Sequence, residues 1–121
     1  MDLLQVAKLI HQKIQAIEEQ RNTLHQLARE KATTESKYDK ALCITLIRLK
    51  QGAELEIDTH KIQHPPVSIM DKIAKGYCWK EKLDRDTAEG LYKATVSNIS
   101  ALESQMTGFQ SINKFLREIE K

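Results

Sequence analysis

Apolar residues recur through the first half of the chain at alternating spacings of four and three, which is the pattern of a heptad repeat. No glycine or proline interrupts it before Gly52, and Arg48 and Lys50 stand where cations suit the end of a helix. The pattern predicts one helix over about residues 2–51, about 75 Å long. Its predicted seam consists of Leu3, Ala7, Ile10, Ile14, Ile17, Arg21, Leu24, Ala28, Lys31, Glu35, Tyr38, Leu42, Thr45 and Leu49.

A second apolar stripe begins after Pro65-Pro66 and predicts another long helix over about residues 67–120. Residues 52–66 form the connector, and the weak alternation of residues 54–63 around Asp58-Thr59 indicates a short β-hairpin or an extended loop. The second stripe consists of Ile69, Ile73, Gly76, Leu83, Thr87, Leu91, Ala94, Ile99, Leu102, Met106, Phe109, Ile112, Leu116 and Ile119.

Two long helices joined by a short connector predict an all-α fold, a coiled-coil-like antiparallel helical hairpin that forms one domain over residues 1–121. In this hairpin, residues whose numbers add to about 120 should face each other, a register that could bring Cys43 opposite Cys78 and leaves open whether the two meet. A seam between only two helices is thin for a free-standing fold. We therefore expect a homodimer or a higher oligomer that completes a helical bundle.

Composition narrows the class of protein. Charged residues make up 30% of the 121 residues and aromatic residues only 5%, which is typical of long helices. The net charge of +2 does not favour bulk nucleic-acid binding, and no apolar run approaches the roughly 20 residues of a membrane span. The first residues do not resemble a signal peptide, so the two cysteines are expected to be reduced thiols in the cytoplasm.

The sequence offers little that resembles a catalytic or metal site. His60 and His64 have a spacing that suits zinc on a helix, but they lie in the connector, where exposed loop histidines are the simpler interpretation. Cys43 and Cys78 would form a disulfide under oxidation if they met, or would simply pack as small apolar residues. No phosphate-binding loop, nucleophile motif or CxxC pair is present. We therefore predict no catalytic residues, no metal and no cofactor, and a protein that is not an enzyme.

One face of the predicted second helix carries an indole among ammonium groups, and Tyr77 and Lys80 flank this face. Successive spacings of three, four and three place its members together: Lys72, Lys75, Trp79 and Lys82. Such a face could contact a protein partner through Trp79, or hold a phosphate or a stacked base. A solvated helix face is the third interpretation.

Residues 65–116 resemble a group of small helical proteins encoded by phages and prophages of Gram-positive bacteria. The resemblance is carried by Pro65-Pro66 and by the segments 73–76, 88–93 and 108–112. It implies a setting in the cytoplasm of the host bacterium and an accessory role, and such groups include inhibitors of bacterial immunity.

Together these observations predict a homo-oligomeric protein that binds a host or phage protein and acts by occlusion or scaffolding. A different class of function is capture of a nucleotide signal or single-stranded nucleic acid at a cleft that the oligomer forms and that is lined by Lys72, Lys75, Trp79 and Lys82. A third is a structural coiled coil of the virion. Salt dependence separates the first two, because nucleic-acid affinity falls steeply with ionic strength.

Overall fold

The computed structural model describes residues 1–120 and shows an all-α helical hairpin with a small β-hairpin in its connector. The all-α fold class predicted from the sequence is confirmed, and of the two alternatives left open for the connector the structure has the β-hairpin. The second predicted helix is divided in two at Cys78. The elements in chain order are α1 (Leu3–Lys50), β1 (Leu55–Ile57), β2 (His60–Ile62), α2 (Val67–Tyr77) and α3 (Trp79–Glu120).

Helix α1 ends in a Schellman motif at Gly52. Gly52 takes the left-handed conformation, with φ of +82°. Its N–H donates to the carbonyl of Leu49 at 3.1 Å, and the N–H of Ala53 donates to the carbonyl of Arg48 at 3.0 Å. These two bonds satisfy carbonyls that the end of a helix otherwise leaves without partners, which explains why α1 stops here.

The connector folds back as two antiparallel strands, with Leu55 opposite Ile62 and Ile57 opposite His60. Asp58 has φ of +53° in the turn, a conformation that aspartate tolerates better than most residues. Leu55 is buried and packs with Leu49 of α1. The β-hairpin therefore serves as a cap on the apolar end of the first helix.

Helices α2 and α3 are joined through the single residue Cys78. The N–H of Cys78 donates to the carbonyl of Ala74, and its own carbonyl accepts from Lys82, both at 3.0 Å and both with helical spacing. The Cys78 side chain is buried, and its Sγ lies 3.3 Å from Oγ1 of Thr45. The open question of whether Cys43 and Cys78 meet is answered in the negative, because Cys43 is exposed, Cys78 is buried and both cysteines are free.

The chain divides into two compact units. One unit combines Met1–Ala28 with the part of α3 from Leu91 onward, and its buried residues include Val6, Ile17 and Ile99. The other unit is Arg29–Gly90. Its core contains Leu49, Leu55 and Ala74, and half-buried side chains pack against that core: Leu42, Leu46, Ile73 and Tyr77.

The predicted seam of α1 is half right. The row that starts at Leu3 and recurs every seven residues as far as Thr45 is buried or half-buried throughout. The companion row was predicted at Ala7, Ile14 and their heptad equivalents, and those residues are exposed as far as Glu35. The row one residue earlier, which begins at Val6, faces inward instead.

The predicted seam of α3 holds for Ile99, Leu102, Met106, Phe109 and Leu116. It fails before Ile99, where the inward positions carry other residues. The residues predicted to be in the seam but found exposed are Leu83, Thr87, Leu91 and Ala94, together with Ile112 and Ile119 nearer the end. Apolar side chains therefore lie on the outer side of α3 along much of its length.

Candidate interaction surface

The structure places the predicted site residues on both sides of the α2–α3 junction. Lys72 and Lys75 are exposed on α2, and Trp79 and Lys82 are exposed on the first turn of α3. Tyr77 is half-buried and packs against the core of its unit, so its ring contributes to folding as well as to the junction. Because hydrogen bonds of helical spacing continue through Cys78, the junction keeps these residues close along the chain.

Trp79 is the centre of this surface. Its side chain is 53% exposed, although the indole is the largest apolar group in the chain. Nζ of Lys80 lies 5.5 Å from the centroid of the indole, within the range of a cation–π interaction. The sequence pattern identified the indole, whereas the cation that contacts it belongs to a residue outside the predicted row.

Leu83 extends the apolar part of the surface by one helical turn. It follows Trp79 by four residues on α3, which places the two side chains on one face, and it is 56% exposed. Val67 and Ile69, at the start of α2, are also exposed. We use the name junction surface for the following residues: Lys72, Lys75, Trp79, Lys80, Lys82 and Leu83.

Helix α3 exposes Leu83 because a charged residue takes the inward position nearby. Arg85 is half-buried, and its guanidinium carbon lies 4.5 Å from the centroid of the buried Tyr38 ring. The same group donates to Oδ1 of Asp86 from Nε at 3.1 Å and from Nη2 at 2.9 Å. The hydrogen bond to Asp86 is the main cause that raises the pKa of Arg85 above its usual value.

A small polar hollow of about 250 Å³ lies beside Arg85, lined also by Lys31, Glu35 and Glu89. Nζ of Lys31 lies 3.9 Å from Oε2 of Glu35 one turn away. The seam of this unit is thus polar at Arg85 while apolar side chains face outward. An inward arginine with outward leucine and tryptophan is the reverse of what burial of apolar surface favours in an isolated helix pair.

Two other hollows are shallow grooves on the surface of α1. One of about 320 Å³ lies on α1 between Leu42 and Lys50, next to the exposed Ile47. Another of about 540 Å³ lies along the first turns of α1, between Met1 and Gln12. Both are open to solvent along one side of a helix. Such grooves suit contact with another macromolecule better than enclosure of a small substrate.

The two connector histidines lie apart from any ligand cluster. His60 is in β2, and His64 has φ of +52° with its ring over the α-carbon of Gly52. Within residues 1–120, no group of three or more histidine, cysteine, aspartate or glutamate side chains could hold a metal ion. No helix in that range is long and apolar enough to cross a membrane.

The exposed leucine is the main feature that heptad analysis missed. Leu83 fits the predicted seam by spacing, and only the position of Arg85 shows that the seam runs along another face. The signal available in the sequence was the second aromatic–cation pair, Tyr38 with Arg85, whose numbers add to 123 and so agree with the pairing of Thr45 and Cys78.

No protein-family model, curated protein or solved structure matches this chain.

Proposed function

We propose that this protein is a non-enzymatic helical adaptor that binds a protein partner through the junction surface. Occlusion or scaffolding of that partner is its mode of action. The observation that carries the proposal is the pair Trp79 and Leu83, both more than half exposed on one face of α3. Exposed tryptophan next to exposed aliphatic groups is typical of interaction sites, where aromatic anchors provide most of the binding energy.

The charge of the junction surface adds specificity to this apolar centre. Lys72, Lys75 and Lys82 are exposed around Trp79, and Lys80 contacts the indole itself. A partner segment with carboxylates around an apolar anchor would complement this arrangement and would associate faster at low ionic strength. The setting that fits the phage resemblance is the cytoplasm of a bacterial host, with inhibition of a defence protein as one such accessory role.

The test is capture of partners from a host lysate by immobilised protein, with variants matched in chemistry. Leu83→Ser and Trp79→Ala should each release a bound protein that the unaltered chain retains. Val96→Ser is the control, because Val96 is also an exposed aliphatic residue on α3 but lies outside the junction surface. Retention of every captured protein by Leu83→Ser and Trp79→Ala, with helicity unchanged, would refute the proposal.

Nucleotide or single-stranded nucleic-acid binding at the same surface is the second candidate, favoured by the contact of Lys80 with the indole. Trp79 is the only tryptophan of the chain, so its fluorescence reports on this surface directly. Titration with nucleotides and short oligonucleotides should leave the emission unchanged if the surface binds protein. Quenching that weakens steeply with added salt, and that is lost in Lys72→Glu, would instead establish the nucleic-acid function.

A further inference from the structure

The outer face of α3 carries a second heptad row that is exposed throughout. Its members follow one another at alternating spacings of three and four over four heptads, from Leu91 to Ile119. Every one of them is exposed and none is charged: Leu91, Ala94, Asn98, Ala101, Gln105, Gly108, Ile112, Phe115 and Ile119. We call this set the outer row.

The lack of charge along the outer row distinguishes it from an ordinary solvated helix face. Charged residues make up 30% of the chain, yet those on α3 from Leu91 to Ile119 all occupy other positions of the heptad: Lys93, Glu103, Lys114, Arg117 and Glu118. Gly90, Ser97, Ser104 and Ser111 line one side of the row and are uncharged, and the same heptad position carries a charge only at its last member, Glu118. An uncharged heptad row with small residues beside it is the pattern of a helix-packing seam.

The outer row is also self-complementary. If two α3 helices lie antiparallel about a two-fold axis at Gln105, the members pair in full, with residue numbers that add to 209 or 210. The resulting pairs are Leu91 with Ile119, Ala94 with Phe115, Asn98 with Ile112, Ala101 with Gly108, and Gln105 with itself.

The sizes of these paired side chains favour the same arrangement. Phe115, which is 62% exposed, would meet Ala94, whose small side chain leaves room for the ring. Ala101 and Gly108 would meet near the axis and would let the two helices approach closely. Gln105 could hydrogen-bond to its counterpart, and a single polar residue at such a position is a known means of specifying register.

We propose that a second copy of this chain packs on the outer row, with the two α3 helices antiparallel about Gln105. The contact is isologous, so both copies use the same residues and the assembly closes as a dimer. It shares no residue with the junction surface and does not depend on the function proposed for that surface.

The length of the outer row sets the strength expected of this contact. The row covers about 42 Å of helix, and with a helix about 10 Å wide the two copies would bury on the order of 900 Å² together. Specific interfaces begin near that size, and the smaller ones belong to complexes that dissociate readily. We therefore expect a dimer with a dissociation constant on the order of micromolar.

The first test is sedimentation equilibrium of two variants that make the same chemical change on opposite sides of α3. Gln105→Glu places two carboxylates against each other at the axis and should raise the dissociation constant at least tenfold. Gln110→Glu is the matched control, since Gln110 is exposed about 140° around the helix and should leave the dimer intact. A chain that stays monomeric at hundreds of micromolar, or a dimer equally stable in both variants, would overturn the proposal.

The second test fixes the direction of packing. In a Cys43→Ser background, which removes the exposed thiol, Gln105→Cys should form a covalent dimer under mild oxidation, because position 105 meets itself at the axis. Gln110→Cys should remain monomeric under the same conditions. Equal cross-linking of the two variants would show that copies do not meet through the outer row. Trp79→Ala should change neither result, which keeps this proposal separate from the junction surface.

Discussion

Replacement of Gly52 by alanine should destabilise the fold, while the same replacement at Gly90 should stabilise it. Gly52 has φ of +82°, and an L-residue in this left-handed region costs about 1–2 kcal/mol. A Cβ there would also stand 2.7 Å from Cε1 of His64, so the imidazole would have to move. Gly90 is within α3 with no atom within 4 Å of a new Cβ, so alanine should gain about 1 kcal/mol of helix propensity.

The two variants should therefore differ by about 2–3 kcal/mol in the free energy of unfolding, with the cost of displacing the His64 ring in addition. Urea denaturation followed by far-ultraviolet circular dichroism measures this difference, at one protein concentration for all variants. The midpoints should move in opposite directions while the slopes stay equal, because neither change alters the surface exposed on unfolding. A Gly52→Ala midpoint at or above that of the unaltered chain would refute the assignment of Gly52 as a left-handed helix cap.

His64 allows the backbone and steric contributions to be separated. In a His64→Ala background the imidazole is gone, so Gly52→Ala should retain only the cost of the left-handed backbone. The loss should then fall to about 1–2 kcal/mol, and any excess in the single variant measures the displacement of the ring. An identical loss in both backgrounds would mean that the ring moves away without cost.

Three further results are expected. Leu49→Ala should lower stability by about 2–5 kcal/mol, because Leu49 is 1% exposed, whereas Ile47→Ala, at 49% exposure, should cost less than about 1 kcal/mol; equal losses by urea denaturation would contradict the assigned core. A thiol reagent should label exposed Cys43 in the folded protein and buried Cys78 only on unfolding, and rapid labelling of both would contradict the junction geometry. Iodide should quench Trp79 fluorescence more strongly than caesium, because lysines surround the indole, and the opposite preference would contradict that environment.

The sequence predicted the class of fold because its strongest signals are local. Gly52 ends α1 through its own backbone conformation, and Pro65-Pro66 precedes α2, so both boundaries depend on residues next to them in the chain. The β-hairpin likewise follows from the short alternating run around Asp58. These features do not require knowledge of what faces each helix.

The choice of seam is not local, and it is where prediction failed. On α1, the row of Ala7 and Ile14 and the row of Val6 and Leu27 differ by one residue, and both rows mix apolar with polar residues. Only the opposite helix decides between them. The register has the same origin: a sum of 120 assumed that the connector was centred near residue 60, whereas Thr45 faces Cys78 because α2 lengthens the return path.

The junction surface contains one residue that the sequence singled out, Trp79, and one that the sequence assigned to the seam although it is exposed, Leu83. Trp79 was identified because one indole among lysines is conspicuous in any geometry, and its exposure is a property of the folded chain. Leu83 was assigned to the seam because spacing alone does not reveal that Arg85 stacks on Tyr38 and faces inward. Where a charged residue such as Arg85 faces inward, the apolar residue predicted for the seam in that turn faces outward. Heptad spacing does not reveal this change.

The β-hairpin of the connector has a consequence for the order in which this chain folds. Leu55 and Ile62 meet after a loop of a few residues, and Thr45 and Cys78 are separated by 33 residues, against 82 for Arg21 and Glu103. Closing the 82-residue loop directly costs about 0.8 kcal/mol more than closing the 33-residue loop. Each contact that has already formed shortens the loop that the next contact must close. The helices should therefore pair first next to the connector and then progressively toward the first turns of α1. Amide hydrogens should exchange fastest at those first turns.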